Sequence, residues 1–280
     1  MCFSRETTLP FKSIYLLCLA FISLLYSQTA GAAGDAIVWA KNPSPPFHIM
    51  NGKLKGYGIC DVMTDKLDVL LADLDTSVEI YPHPRVNKYV GEAENLCFPC
   101  MIKREDSGTY TYSDTTMRYP ALGVIIHRSF LTKLELSENT PVSFAKLMSI
   151  HTLAFGLPSA RKYPDALQSI LNKQIGQPHI LEIAGTEGPL RVLRQIARGR
   201  LDYTIDYPSV LKYFSMTEHD NSLVFLPVTE MGDTLVEGAI GCTNNPWGKR
   251  AVGHINGVLK RLQQDPEFKE NQAFWLNVIE

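Results

Sequence analysis

The sequence predicts an α/β protein with largely parallel sheets, on three observations. Strand-like and helix-like segments alternate along the chain beyond residue 35. The strand-like runs are apolar and lack clean period-two alternation, as in strands covered on both faces. Residues 33–280 are long enough for one large domain or for two lobes of ordinary size.

Each element follows from local pattern. "AIVWA" (36–40) reads as a buried strand. "GICDVMTDKLDVLLADL" reads as a helix, because Ile59, Val62, Met63, Leu67, Leu70, Leu71 and Leu74 share one face at i, i+3, i+4 spacing. "VEIY" (78–81), "LCFP" (96–99) and "ALGVIIH" (121–127) follow as strands, with His83 in a loop between Pro82 and Pro84. "FAKLMSI" is a short helix, "TLAFG" (152–156) a strand, and "YPDALQSILNKQ" a helix with Pro164 early, where proline is tolerated. "HILEIA" (179–184) is a strand, and "GPLRVLRQIARG" a helix that opens on Pro189 and stops at Gly199. "LDYTID" and "LVFLPV" are strands around the helix "PSVLKYF". "VEGAIGC" is the last strand. "WGKRAVGHINGVLKRLQQ" is the last helix, with Ala251, Ile255, Val258, Leu259 and Leu262 inward.

Residues 1–32 read as a secretory signal peptide and not as fold. Arg5 and Lys12 precede the apolar run "SIYLLCLAFISLLY", and Ala30 and Ala32 form the small-residue cleavage site. The run is short for a membrane span, and Leu17 before Cys18 does not suit lipidation. The expected location is the periplasm. The composition is that of a globular protein, 45% hydrophobic and 20% charged, near the usual roughly 45–50% and 25%. A net charge of −2 gives no footprint for nucleic acid.

Four cysteines remain beyond the signal peptide: Cys60, Cys97, Cys100 and Cys242. An oxidising compartment allows disulfides among them, in any of three pairings. "CFPC" has redox or half-zinc spacing, but nothing completes a metal site, and the pair reads as the end of a strand and not the start of a helix. Structural disulfides or inert thiols are the expectation, with no metal and no cofactor.

Ligands in open α/β sheets bind at the carboxyl ends of strands. "GRLDYTIDYP" places Asp206 and Tyr207 there, at the handover to a helix. Asp206 is equally suited to capping that helix.

"PPFHIMNGKLKGYGICDVMTDKL", "SFAKLMSIHTLAFGLPSA" and "GRLDYTIDYP" resemble, in order, the extracellular solute-binding proteins of family 3, the amino-acid-type periplasmic binding proteins. The last of these and "CTNNPWGKRAVGHINGVLKRL" look more like a poorly characterised branch of that superfamily. The resemblance implies a two-lobed type II periplasmic binding protein fold. Lobe one would hold 33–122 and 229–280, and lobe two the inserted 123–228, joined by "ALGVIIH" and "FLPVTEMGD". A ligand would be clamped between the lobes by a monomer.

Laid on the family pattern, the arginine that grips a ligand carboxylate falls at Ser107 and the neighbouring threonine at Arg104. The stacking aromatic falls at Ser44, and the lobe-two aspartate at Tyr207, one place after Asp206. Ser159 matches as a hydroxyl donor. The candidate ligand residues are therefore Phe47, Arg104, Ser159, Asp206 and Tyr207, with Trp39 as a further apolar wall.

Catalytic signatures G-x-S-x-G, H-E-x-x-H and the P-loop are missing from the sequence. The expected function is solute binding for an ABC permease, without catalysis. Alternatives are ligand sensing for a membrane receptor, a small-molecule lyase on the same fold, or an exported protein that has lost binding.

Overall fold

The computed structural model describes residues 36–105, 108–138 and 140–276. The signal-peptide reading and Ser107 lie outside these residues.

Two sheets are built in succession. The first takes β1 (Ile37–Lys41), β2 (Thr76–Ile80), β3 (Leu96–Ile102), β4 (Tyr110–Tyr112), β5 (Met117–Tyr119) and β11 (Val236–Thr243). Its order is β2-β1-β3-β11-β4, with β5 also on β11. The second takes β6 (Gly123–His127), β7 (Phe155–Pro158), β8 (Ile180–Ile183), β9 (Tyr203–Asp206) and β10 (Leu223–Pro227), in the order β10-β6-β9-β7-β8. Both sheets are mixed and not largely parallel. β1, β2 and β3 run parallel, but β11 returns antiparallel to β3. β7, β8 and β9 run parallel, and β6 lies antiparallel to both β9 and β10.

The helices are α1 (Ile59–Leu70), α2 (His83–Glu92), α3 (Ser129–Lys133), α4 (Phe144–Met148), α5 (Asp165–Asn172), α6 (Gly188–Ala197), α7 (Pro208–Glu218), α8 (Pro246–Gln264) and α9 (Pro266–Leu276). His83 opens a helix and not a loop, since prolines at the first helical turn are tolerated. Pro164 is the N-cap of α5. The inward faces of α1 and α8 match their periodicity: Ile59, Val62, Met63 and Leu67 on one, Ala251, Ile255, Leu259 and Leu262 on the other, are buried. Asn245 caps α8 by accepting from Gly248 N–H at 2.7 Å.

The two crossings between the sheets are shorter than the expected segments. β6 and β10 pair with each other, Leu226 opposite Val124 and Pro227 opposite Gly123. That leaves 120–122 outbound and 228–235 on return, side by side. The return crossing also caps a helix. The Glu230 carboxylate accepts from Phe144 N–H, Ala145 N–H and the Ser143 hydroxyl, each at 2.9 Å.

A third, non-covalent junction was not legible in the sequence. Helix α9 is tied to the first sheet's layer, where Tyr57 O accepts Trp275 Nε1–H at 2.8 Å and Asn271 Nδ2–H at 2.9 Å. The same end of α9 meets α7 of the second layer. Lys212 Nζ donates to Phe274 O and lies 4.2 Å from that ring's centroid, and Tyr213 packs against Trp275.

"CFPC" opens β3 instead of ending a strand, and its cysteines do not pair with each other. Cys60 of α1 bonds Cys100, and Cys97 bonds Cys242 across the β3–β11 register. Three steps along a strand span about 10 Å, beyond the reach of a disulfide. Trp39 is core and not a cleft wall. It is fully buried, and its Nε1–H donates to Asp68 Oδ1 at 2.7 Å.

Candidate ligand-binding cleft

Residues 42–49 form the first wall. Their proline-rich turn is held by Phe47 N–H donating to Ser44 O at 2.8 Å and packs onto the start of α1. Ile59 N–H donates to Pro46 O and Cys60 N–H to Phe47 O, both at 2.9 Å. Gly58 permits this approach: a Cβ there would lie 2.5 Å from Phe47 O. Asp61, in the first turn of α1, reaches back to His48 Nδ1 at 2.9 Å, Ile49 N–H at 2.8 Å and Lys41 Nζ at 3.5 Å. Burial alone would raise the Asp61 carboxyl, but the His48 hydrogen bond and these partners hold it below its ordinary range. Burial lowers His48 against the pull of Asp61, which favours the neutral ring with its Nδ1–H toward Asp61.

The second wall comes from the strand-to-helix loops after β7 and β9. Asp206 ends β9 and is 1% exposed. Its Oδ1 accepts Tyr207 N–H at 2.8 Å and is ion-paired with Arg161 Nη2. Burial pushes the Asp206 carboxyl up, and Arg161 opposes it. Tyr207, and not Asp206, is the N-cap residue of α7, with no side-chain cap bond. The Arg161 guanidinium lies 5.8 Å from the Phe47 ring centroid and 5.7 Å from that of Tyr207, within cation–π range.

The walls meet around a cavity of about 450 Å³, inside the usual span of small-molecule sites, roughly 300–1,000 Å³. Phe47 and Tyr119 from the first layer and Tyr207 from the second form a ring cluster with centroids 5.4–5.8 Å apart. Burial pushes the Tyr119 and Tyr207 phenols well above their ordinary value, so both keep their protons at neutral pH. At the rim, Arg104 spans the layers: Nη1 pairs with Asp165 Oδ1 at 2.7 Å and Nη2 donates to Tyr163 O at 2.8 Å.

Of the five candidate residues, Phe47, Arg104 and Tyr207 line this cavity. Asp206 lies behind the wall, holding Arg161. Ser159 lines an adjoining cavity of about 230 Å³ that shares Asn42, Ser44 and Arg161 with the first, and its hydroxyl donates to Glu182 Oε1 at 2.6 Å. Sequence reasoning missed Arg161, Lys162 and Tyr119. The first two were within reach of the same rule that selected Asp206, because they follow β7 at its carboxyl end. Nothing local marks Tyr119; the crossing at 120–122 brings it to the site.

Arg104→Ala is expected to cost at most about 1 kcal/mol of stability, because the Arg104 side chain is 37% exposed and Asp165 87%. Urea unfolding checks this. A loss well above that would make the cross-layer contact part of the fold itself.

No family model and no curated protein sequence matches the chain. Solved structures do. A substrate-binding protein of an ABC uptake transporter from Streptococcus pneumoniae, solved with bound histidine, superposes with TM-score 0.64 at 13% identity, over 87% of this chain and 93% of that one. An arginine-, lysine- and histidine-binding protein from Geobacillus stearothermophilus gives TM-score 0.64 at 14% identity, covering 86% and 95%. A histidine kinase sensor domain similar to periplasmic binding proteins gives 0.63 at 12%, covering 88% and 97%. The fold is that of the type II periplasmic binding proteins, with the cavity between its two layers.

Proposed function

We propose that the protein is an exported, monomeric solute-binding protein of family 3 type that clamps a small polar solute between two lobes for an ABC transporter, and catalyses nothing. The observation that carries this reading is the cavity walled by both layers at the ends of β3, β7 and β9. The neighbours named above are binding proteins or a sensor domain, in keeping with binding and not turnover. Lobe one takes 33–122 and 229–280, and lobe two 123–228, with 120–122 and 228–235 as the hinge. Hinge closure confines torsional change to such short links. Export through the signal peptide at 1–32 to the periplasm accords with the two disulfides, which persist in oxidising compartments. The sensor-domain neighbour supports a second reading, in which the loaded clamp is read by a membrane receptor.

The test is to identify the solute that co-purifies with the protein by mass spectrometry, strip it by unfolding, and return it. Rebinding at about 100 times the dissociation constant should stabilise the fold by about 2.7 kcal/mol and lower the radius of gyration in solution scattering. Stabilisation without compaction would refute a closing clamp. A protein that retains no solute and is stabilised by none would refute the binding role.

A further inference from the structure

The wall of the main cavity carries cations and rings and, among the described residues, no carboxylate. Arg104, Arg161 and Lys162 line it, with Phe47, Tyr119 and Tyr207. Asp61 and Asp206 stand behind the wall and Asp165 is exposed at its rim, and each of the three is ion-paired. Asp61 is held by Lys41 and His48, Asp165 by Arg104, and Asp206 by Arg161. Lys162 is exposed and has no carboxylate in ion-pair distance among the described residues. The Tyr119 hydroxyl is buried and has no hydrogen-bond partner there either.

An ammonium entering this space would lose water and find no unpaired carboxylate on the cavity wall among the described residues, which is costly. A carboxylate would find a free cation and an unengaged phenol donor. A flat apolar group would find the rings of Phe47, Tyr119 and Tyr207, which line the cavity. We propose that the solute of this cleft is an aryl-substituted carboxylate without a neighbouring ammonium, and not a zwitterionic amino acid. This rests on the solute-clamp reading and narrows it.

Three probes that differ only in charged groups test the assignment: 3-phenylpropionate, phenylalanine and phenethylamine, titrated calorimetrically into the stripped, refolded protein with its disulfides oxidised. 3-Phenylpropionate is expected to bind at least about tenfold more tightly than phenylalanine, since an unpaired buried charge costs 1.4 kcal/mol or more. Phenethylamine is expected not to bind. Lys162→Gln should weaken 3-phenylpropionate by about two- to fivefold, the scale of an exposed ion pair, and Lys162→Arg should restore it. Phenylalanine or phenethylamine binding as tightly as 3-phenylpropionate overturns the assignment. So does unchanged affinity in Lys162→Gln, or no binding by any probe. A co-purified native solute bearing an α-ammonium would overturn the class and leave the clamp standing. Failure to retain any solute would bring down the clamp as well.

Discussion

Replacing Asp206 with alanine is expected to destabilise the solute-free protein by about 3–5 kcal/mol, the cost of stranding a buried charge. Arg161 is the group left stranded. Its side chain is 11% exposed and that of Asp206 2%. Two aromatic rings cover the guanidinium and do not replace a carboxylate. At about 2–4 °C per kcal/mol for a chain this size, the melting temperature should fall by roughly 6–20 °C. Urea unfolding gives the free energy directly. The double variant Arg161→Met/Asp206→Ala should recover a large part of the loss, because it removes both charges. A single-variant loss near 1 kcal/mol, the size of a missing helix cap, would show that the pair is open in solution.

Breaking the Cys97–Cys242 bridge should cost on the order of 5 kcal/mol. The bond closes a loop of 145 residues, and the chain-entropy model already assigns about 4.7 kcal/mol to a 100-residue loop. The Cys97→Ala/Cys242→Ala variant, unfolded in urea beside the oxidised parent, measures the loss. The Cys60–Cys100 bridge closes 40 residues and should contribute about 4 kcal/mol by the same relation. Catalysis of insulin reduction by added dithiothreitol is expected to be absent, because neither cysteine of "CFPC" has the other as its partner. Peptide mapping that finds Cys97 linked to Cys100 would overturn both the pairing and the estimate.

Much of the scaffold was legible because it is locally encoded. The 3.6-residue periodicity of α1 and α8 named most of the apolar residues that the structure buries, while Leu70, Leu74 and Val258 of the same faces are only half-buried. Proline and glycine marked the bounds of α6 correctly, with Pro189 in the first turn and Gly199 at φ +66° just past the end. Three helices were missed: α3, at five residues, is too short to show a periodicity, and the other two were missed for opposite reasons. α2 carries two prolines around His83 that read as a loop, although they are tolerated at a helix start. α9 continues after only Asp265, so its start reads as the tail of α8. The short strands β4 and β5 have little pattern of their own and exist because β11 offers them an edge.

What the sequence by itself determined, then, is the order of strands and helices and the handover after β9 that carries Asp206 and Tyr207; Phe47, Arg104 and Ser159, in the loops after β1, β3 and β7, came from laying the chain on the family pattern. The order and the handover follow from interactions within a few residues of each position. The tertiary structure alone decided which of these loops meet and with what charge. Arg161 takes Asp206 from 45 residues away, Arg104 takes Asp165 from 61, and Cys97 takes Cys242 from 145. No local periodicity encodes such pairs. They are chosen when the two layers pack and each desolvated charge must find a partner or stay in water.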